Sequence, residues 1–379
     1  MNRRLAASLS VLLLNAGLGL AFPRAAAVQA GPGDIPEKND QAAAEAFKPR
    51  LIAIPFVYYT PETKLAFGGG GVLTFRAGRR KAETRASSIW AFGTYNLARQ
   101  FQVVVKPEIY LSRNSFFLSG NLRYERTPQK FFGVGNDMPG SAEESYTPRV
   151  VTVQVGVKKK FLGHLFAGVH YEFEQLTMEK VEPGGILEAG DIPGSRGGLL
   201  SGFGLSLDWD TRDAVIFPRK GIFIQLTADT YDAMTGSDFT FSNIKLDFRR
   251  YVPVTATQVL AVQALLQSAS GEVPFHKLAL VGGESLLRGY YRGRYRDKSL
   301  IAVQAEYRVK VWKRIGVAGF AGLADVFPGL ADLRLGRLKY SVGTGVRYTV
   351  NKREGTNLRM DMAWGKGSFG LYFTAQEAF

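Results

Sequence analysis

Apolar and polar residues alternate with a period of two along most of the chain, from about Leu51 to Phe379. The first segment, for example, places Ile52, Ile54 and Phe56 at every second position. This period is typical of β-strands, because successive side chains point to opposite faces of a sheet. Sixteen such segments, separated by turn residues, are 52–58, Lys64–Arg76, Arg85–Leu97, Phe101–Leu111, Ser115–Glu125, Arg149–Lys160, Leu165–Leu176, Leu199–Asp210, Gly221–Asp232, Phe239–Val252, Thr257–Ser268, Leu300–Val311, Ile315–Val326, Lys339–Val350, Thr356–Gly365 and Phe369–Phe379.

The connections between these segments alternate in length. Short turns such as Arg113-Asn114 alternate with longer loops that begin near Thr127, Glu179 and Gly271. Outer-membrane barrels have this asymmetry, and each segment is long enough to cross a bilayer as a tilted strand of roughly 9–11 residues. We therefore predict an all-β fold, a sixteen-stranded antiparallel transmembrane β-barrel. The alternatives are a secreted β-sandwich, whose strands would be shorter, or a propeller, whose repeat of about 40–50 residues we do not find in this sequence.

The start of the sequence has the layout of a secretory signal peptide. Arg3 and Arg4 precede an apolar run from Leu5 to about Phe22, and small residues end at Val28-Gln29-Ala30. A charged start, an apolar centre and a small-residue cleavage site favour removal, although a membrane anchor is the alternative. We therefore divide the chain into a signal peptide (1–30), a flexible N-terminal segment (31–50) and a barrel domain (51–379).

Composition narrows the classes of function. The chain has no Cys, which excludes disulfides and thiolate sites, and its net charge is +15. Because the basic residues are spread over an exported chain, we expect them to face lipid and lipopolysaccharide head groups of the bacterial outer membrane, and we expect no nucleic acid partner. The three His lie far apart and no Gly-x-Ser-x-Gly motif occurs, so we expect no metal, no cofactor and no enzyme.

One long segment between two strand patterns is rich in Arg, Gly and Tyr. This segment, Val281–Asp297, is called the tip loop below, and it contains Arg288. Its aromatic and Gly content argues against disorder, and loops of this length are usually functional. Glu306 and Asp325 lie inside the following strand segments, where a charge must face the barrel interior because facing lipid costs about 2–4 kcal/mol. We therefore expect the tip loop to fold into the barrel lumen, with Arg288 pinned to an acid of the wall.

Several short motifs stand out along the chain. They are the loop tip Leu287-Arg288-Gly289-Tyr290, the strand motifs Ala305-Glu306-Tyr307-Arg308 and Gly322…Asp325…Phe327, the turn Asp210-Thr211-Arg212-Asp213…Phe217-Pro218-Arg219-Lys220-Gly221, and the loop Phe132-Gly133-Val134-Gly135-Asn136. In order and spacing they resemble the motifs of the BamA/TamA (bacterial surface antigen) superfamily of sixteen-stranded barrels, in which the turn lies mid-barrel. The likeness covers essentially the whole of residues 51–379.

The resemblance implies roles for individual residues and for the whole protein. Arg288 would be the loop-tip arginine and Asp325 its wall partner, with Glu306 alongside. Family members insert outer-membrane proteins or move polypeptide across the membrane, using a weak seam between the first and last strands. Family insertases also carry periplasmic POTRA domains, which residues 31–48 are too short to hold, so the resemblance is to a member without them.

The last residue, Phe379, ends the final strand pattern. A terminal aromatic residue resembles the C-terminal signal that the outer-membrane assembly machinery recognises, and an incidental aromatic end is the alternative.

We expect a non-enzymatic outer-membrane protein that assists insertion or translocation of polypeptide or lipid, with unfolded outer-membrane proteins as clients. A passive channel for small solutes is the first alternative. A phospholipase-type hydrolase is the second, and it would need a Ser/His pair on one barrel face.

Overall fold

The computed structural model describes residues 49–60, 64–78, 84–97, 100–215, 217–351, 356–375 and 377–379. The predicted signal peptide and residues 31–48 of the predicted flexible segment lie outside this range. Within it, no helix is long and apolar enough to cross a membrane. The helical elements are the α-helix Ile186–Ala189 and the 3-10 turns Gly140–Ala142, Ala233–Thr235, Leu330–Asp332 and Leu335–Arg337.

β-Strands make up most of the described chain, as the alternation predicted. In chain order they are β1 (Arg50–Thr60), β2 (Lys64–Phe75), β3 (Ser87–Asn96), β4 (Phe101–Leu111), β5 (Phe116–Arg126), β6 (Gln129–Phe131), β7 (Glu144–Leu162), β8 (Leu165–Val181), β9 (Gly198–Asp210), β10 (Gly221–Tyr231), β11 (Phe241–Thr255), β12 (Gln258–Gly271), β13 (Ala279–Val281), β14 (Tyr295–Asp297), β15 (Ser299–Trp312), β16 (Ile315–Phe327), β17 (Lys339–Asn351), β18 (Thr356–Gly365) and β19 (Ser368–Ala375).

Seventeen of these strands form one sheet, in which strands that follow each other in sequence pair antiparallel. β5 and β6 both pair with β7, so β6 extends the edge that β5 presents. β12 pairs with β15, because the chain between them forms the separate two-stranded sheet of β13 and β14. The all-β, antiparallel prediction is confirmed. The segment Thr127–Pro148 was predicted to be a loop. It contains β6 and the first five residues of β7, 144–148.

The two faces of the large sheet differ in polarity, and β9 shows the pattern clearly. Leu205 is 63% exposed, whereas Asp208 on the opposite face is only 6% exposed. Phe203, Leu207 and Trp209 share the exposed face with Leu205. A soluble protein has the reverse arrangement, so this apolar face suits lipid and the polar face is the one that packs against protein.

The tip loop packs on the polar face of the sheet. Leu287 and Tyr290 are 2% and 1% exposed, and they belong to a buried apolar cluster with Leu300, Ala324 and Val326 of β15 and β16. The loop is therefore ordered by contacts with the sheet, which agrees with the expectation drawn from its aromatic content.

The predicted continuation of the last strand to Phe379 is wrong. β19 ends at Ala375, which pairs with Leu358. Phe379 instead turns onto the polar face, where it is 6% exposed and packs against Tyr251 and Ala261 of β11 and β12. The physical reason is the charge of Glu377, which follows the strand. This carboxylate needs polar partners when it is buried, and the polar face of the sheet supplies them.

Candidate functional site

The backbone of the tip loop approaches β18 closely at Gly289. Its φ of +111° is one that side-chain-bearing residues rarely adopt, and an added Cβ would lie 3.0 Å from the nitrogen of Gly365 and from the carbonyl carbon of Trp364. The Gly289 N–H donates to the Tyr372 hydroxyl at 2.9 Å. Glycine is thus required here because the loop tip lies directly against the sheet.

Arg288 projects from this tip into a fully buried setting, with 1% of the residue exposed. Its Nη2 donates to Glu306 Oε2 at 2.6 Å, and its Nη1 donates to Asp361 Oδ2 at 2.5 Å. The guanidinium carbon also lies 3.3 Å from the ring centroid of Phe320. Two charge-assisted hydrogen bonds and a stacked ring fix the guanidinium in one orientation, for which Lys would be a poor substitute.

The pairs made by Arg288 belong to a larger group of buried charges, called the wall cluster. Arg308 Nε donates to Glu306 Oε1 at 2.8 Å, and Arg347 Nη2 donates to the same oxygen at 3.1 Å. Arg347 also donates to Asp361, whose Oδ2 lies 3.4 Å from Arg359 Nη1. The members of the wall cluster are Arg288, Glu306, Arg308, Arg347, Arg359, Asp361 and Glu377. The cluster ties the tip loop to β15, β17 and β18.

The expected contact of Arg288 with Asp325 is not formed, and Asp361 takes that place. Asp325 Oδ1 instead accepts a hydrogen bond from Asn136 Nδ2. Asp325 faces Ile301 in the strand register, whereas Phe320, which stacks on Arg288, faces Glu306. Five residues along a strand correspond to roughly 17 Å, so Asp325 sits too far along β16 to reach the guanidinium.

Asp325 anchors a different loop. Asn136 is 1% exposed, and besides Asp325 it donates to the Arg337 carbonyl oxygen at 2.9 Å. The neighbouring Gly135 N–H donates to the Arg296 carbonyl oxygen of β14 at 2.7 Å. The Phe132–Asn136 motif therefore contacts the strand motif around Asp325, although the two were recognised separately in the sequence. Together they hold β14, the C-terminal end of the tip loop.

Tyr290 extends the hold of the tip loop toward the last strands. Its hydroxyl donates to the Tyr340 carbonyl oxygen at 2.9 Å and accepts from the Lys366 N–H at 2.8 Å. Its ring occupies the space that Gly365 leaves open, since a Cβ there would lie 2.3 Å from the ring. The Tyr372 hydroxyl donates to the Tyr290 carbonyl oxygen at 3.2 Å. The Leu287–Tyr290 motif thus contacts the sheet from β15 to β19.

The mid-barrel turn motif lies between β9 and β10 and is built as a turn. Arg212 pairs with Asp210 through Nε and Nη2, at 2.9 Å and 3.1 Å, and stacks on Phe223 with 4.1 Å to the ring centroid. Asp213 Oδ1 accepts the Arg219 N–H at 2.9 Å, next to the buried Pro218. Gly221 has a φ of +111°, and a Cβ there would lie 2.4 Å from the Thr211 carbonyl oxygen. Asp210 also contacts His164 and lies 4.0 Å from Arg85, and Arg219 donates to the Ala256 carbonyl oxygen. The motif therefore ties its own turn to β10 and to the neighbouring turns.

A second buried charge group, which sequence reasoning missed, holds the chain just before β13. Lys277 Nζ pairs with Glu172 and lies 3.2 Å from Glu174 Oε1, while His276 Nε2 lies 3.3 Å from the same atom. Burial alone would lower the pKa of Lys277, but the carboxylates of Glu174 and Glu172 outweigh it and raise that pKa. Burial lowers the pKa of His276. The Glu172-x-Glu174 alternation in a strand was the available signal, because both acids must share the polar face.

The Omp85 superfamily domain matches this chain over residues 92–372. Among solved structures, BamA from Haemophilus ducreyi lacking POTRA domains 1–3 is similar with a TM-score of 0.57 at 14% identity, covering 87% of this chain and 69% of that one. CdiB from Acinetobacter baumannii gives 0.55 at 11% identity, with 86% and 59% covered. CdiB from Escherichia coli gives 0.51 at 11% identity, with 86% and 61% covered, so this chain spans less than two thirds of either CdiB chain. No curated protein matches significantly. At these identities the structural likeness concerns the fold alone.

Proposed function

We propose, from the premise that this chain belongs to the Omp85 superfamily of bacterial outer-membrane proteins, that it assists the insertion or translocation of polypeptide at that membrane. In this proposal the sheet closes into a sixteen-stranded barrel and the tip loop fills part of its lumen. The observation that carries the proposal is the buried attachment of Arg288 to Glu306 and Asp361, which fixes the tip loop against β15 and β18, the neighbour of the edge strand β19.

The strand pairing supports a sixteen-stranded closure. β6 continues β5 along the same neighbour, so the seventeen strands of the sheet trace sixteen paths. β1 pairs with β2 and β19 pairs with β18, which leaves β1 and β19 as the strands that would meet on closure. A polar face lined by buried acids and arginines also suits an enclosed interior more than a lipid-facing one.

The edges support a role in handling polypeptide. An edge strand presents backbone N–H and C=O groups that an incoming extended segment can pair with. β19 has 8 residues, against 14 in β15, so its edge offers few hydrogen bonds to a partner strand. A short, weakly held edge can part and accept a client strand, while the tip loop keeps β17 and β18 in place. Unfolded outer-membrane proteins are the clients of this proposal, and the assembly machinery that would recognise Phe379 is a further partner.

Lipid contact is the other part of the proposal. Trp209, Trp312 and Trp364 are exposed on the sheet, as aromatic side chains at a membrane interface would be. Lys159 and Lys160 lie near the short turn between β7 and β8, with their ammonium groups 5.6 Å and 5.9 Å from the ring centroids of Phe161 and Phe166. Short turns lie at the periplasmic end of such barrels, so basic groups beside aromatic rings at this end suit the anionic phospholipid head groups of the inner leaflet.

The test is client insertion into liposomes that contain the refolded protein. We expect an unfolded outer-membrane barrel to insert faster than into empty liposomes, and we expect Arg288→Lys to reduce the gain. Arg292→Lys, at an exposed position of the same loop, is the matched control and should retain it. Equal insertion rates with and without the protein would contradict the proposal.

The same liposomes test the two alternative functions, a passive channel and a phospholipase. A passive channel would conduct small ions steadily without accelerating insertion, and Arg288→Lys would then change conductance alone. A phospholipase would release fatty acid from the lipid. The Ser/His pair that this second option needs is not formed among the described residues: His164 contacts the Asp210 carbonyl oxygen, His170 contacts Asp229 and His276 lies beside Glu174.

A further inference from the structure

The last three residues, Glu377–Phe379, form a tail segment that leaves the edge of the sheet and lies on its polar face. The last paired residue of β19 is Ala375. The Glu377 side chain is 2% exposed, and Phe379 is 6% exposed. Phe379 reaches Tyr251 and Ala261, so the tail segment connects the edge strand β19 with β11 and β12. Those strands lie on the other side of β15 to β18 in the order of the sheet.

Polar contacts hold the tail segment at both ends. Glu377 Oε2 accepts from Arg347 Nε at 2.9 Å, and its Oε1 accepts from Asn357 Nδ2 at 2.9 Å. Arg308 Nη2 donates to the Phe379 carbonyl oxygen at 3.1 Å, and its guanidinium lies 5.7 Å from the Phe379 ring centroid. The Glu377 carboxylate thus has two hydrogen-bond donors, and Arg308 Nε lies 3.6 Å from it. Moving Glu377 away would leave buried charge on Arg347 and Arg308 without this partner.

Glu377 also offsets part of the positive charge of the wall cluster. The cluster contains the arginines Arg288, Arg308, Arg347 and Arg359, against Glu306, Asp361 and Glu377. Without Glu377, four buried guanidinium groups would face two carboxylates. Departure of the tail segment therefore weakens the same group of charges that holds the tip loop, through Arg308 and Arg347, which contact both Glu377 and Glu306.

We propose that the tail segment is an internal latch, which holds the end of β19 on the polar face until the Glu377 contacts break. When the tail segment is bound, it holds the Ala375 end of β19 toward the polar face, and Phe379 covers Ala261. When it is released, this end of β19 becomes free and the polar face beside β11 and β12 opens. The inference goes beyond the proposed function, because the latch is observable without any client.

The absence of Cys from the chain makes a thiol reporter possible. Ala261 is 0% exposed beneath Phe379, so Ala261→Cys should react with a membrane-impermeant maleimide only when the latch is released. In the refolded full-length protein, adding Glu377→Gln should speed labelling by about tenfold or more, the factor expected for losing a hydrogen-bonded charge. Asn357→Ala, which removes one donor to Glu377, should speed it by a smaller factor and serves if the first variant does not fold.

Two controls complete the experiment. Glu272→Gln, at an exposed loop position, should leave the labelling of Ala261→Cys unchanged. Met234→Cys, at a residue 96% exposed, should label rapidly in every background. The latch would be overturned if Ala261→Cys labelled at the same rate with Glu377 and with Gln at that position, or as fast as Met234→Cys in the otherwise unchanged chain. Since no client is present, this result and failure of the insertion assay are independent.

Discussion

Asp361 should carry the energetic coupling to the loop-tip arginine, whereas Asp325 should not. Asp361 is 0% exposed and contacts Arg288, Arg347 and Arg359. Breaking a buried ion pair by removing one partner costs about 3–5 kcal/mol, because the other charge stays buried without compensation. We expect Asp361→Asn to lower the free energy of unfolding by this amount.

A double-mutant cycle separates the pair from the rest of the cluster. Combining Arg288→Met with Asp361→Asn should cost about 2–3 kcal/mol less than the sum of the single changes, the upper range for residues in contact. The matched cycle with Asp325→Asn should be additive within about 0.5 kcal/mol, since Asp325 binds Asn136. Urea unfolding in vesicles, followed by the fluorescence of the four Trp, measures each value. A larger coupling for Asp325 than for Asp361 would refute the reasoning.

Three further substitutions test the fold and the loop. Gly289→Ala should destabilise the protein clearly more than Gly135→Ala in the same unfolding assay, because both have a φ near +110° but only Gly289 has backbone within reach of a new Cβ; equal costs would mean the loop tip does not lie against β18. Leu205→Arg on the apolar face should lower the free energy of unfolding in vesicles by about 2–4 kcal/mol. Gln225→Lys, beside Asp208 on the polar face, should lower it by less than about 1 kcal/mol. The opposite order would mean that the two faces are assigned the wrong way round. Lys277→Met should cost about 3–5 kcal/mol in the same assay, because Glu172 would lose its cationic partner; a cost below about 1 kcal/mol would argue against that charge group.

The sequence predicted the sheet well, because its physical cause is local. Alternation such as Leu205, Leu207 and Trp209 between polar residues follows from a strand with one face in lipid, and it repeats wherever such a strand occurs. β6 was missed because three residues are too few for a period to be recognised. β7 begins at Glu144, five residues before its predicted start, because the polar residues and Pro148 in this stretch favoured a loop.

Burial of Arg288 could be predicted, but its partner depended on the strand register. Turn lengths and bulges set which residues of β15, β16 and β18 lie level with one another, so the register decides that Asp361 of β18 meets the guanidinium and Asp325 of β16 does not. The signal for Asp361 was present in the Arg359-Met360-Asp361-Met362 alternation, which places an acid and an arginine together on the polar face. The turn of the chain after Ala375 had no local signal apart from Glu377, whose partners come from three other strands.

The most direct measurement of the central claim is where a client first touches the barrel. A photo-crosslinking residue can be placed at Ala53 on β1, at Leu371 on β19 and, as a control, at Leu205 on β9, all on the exposed face. With an outer-membrane client stalled during insertion into liposomes, the account predicts crosslinks from Ala53 and Leu371 and few from Leu205. Crosslinks equally frequent at all three positions, or absent from the two edge strands, would contradict a client entering between β1 and β19.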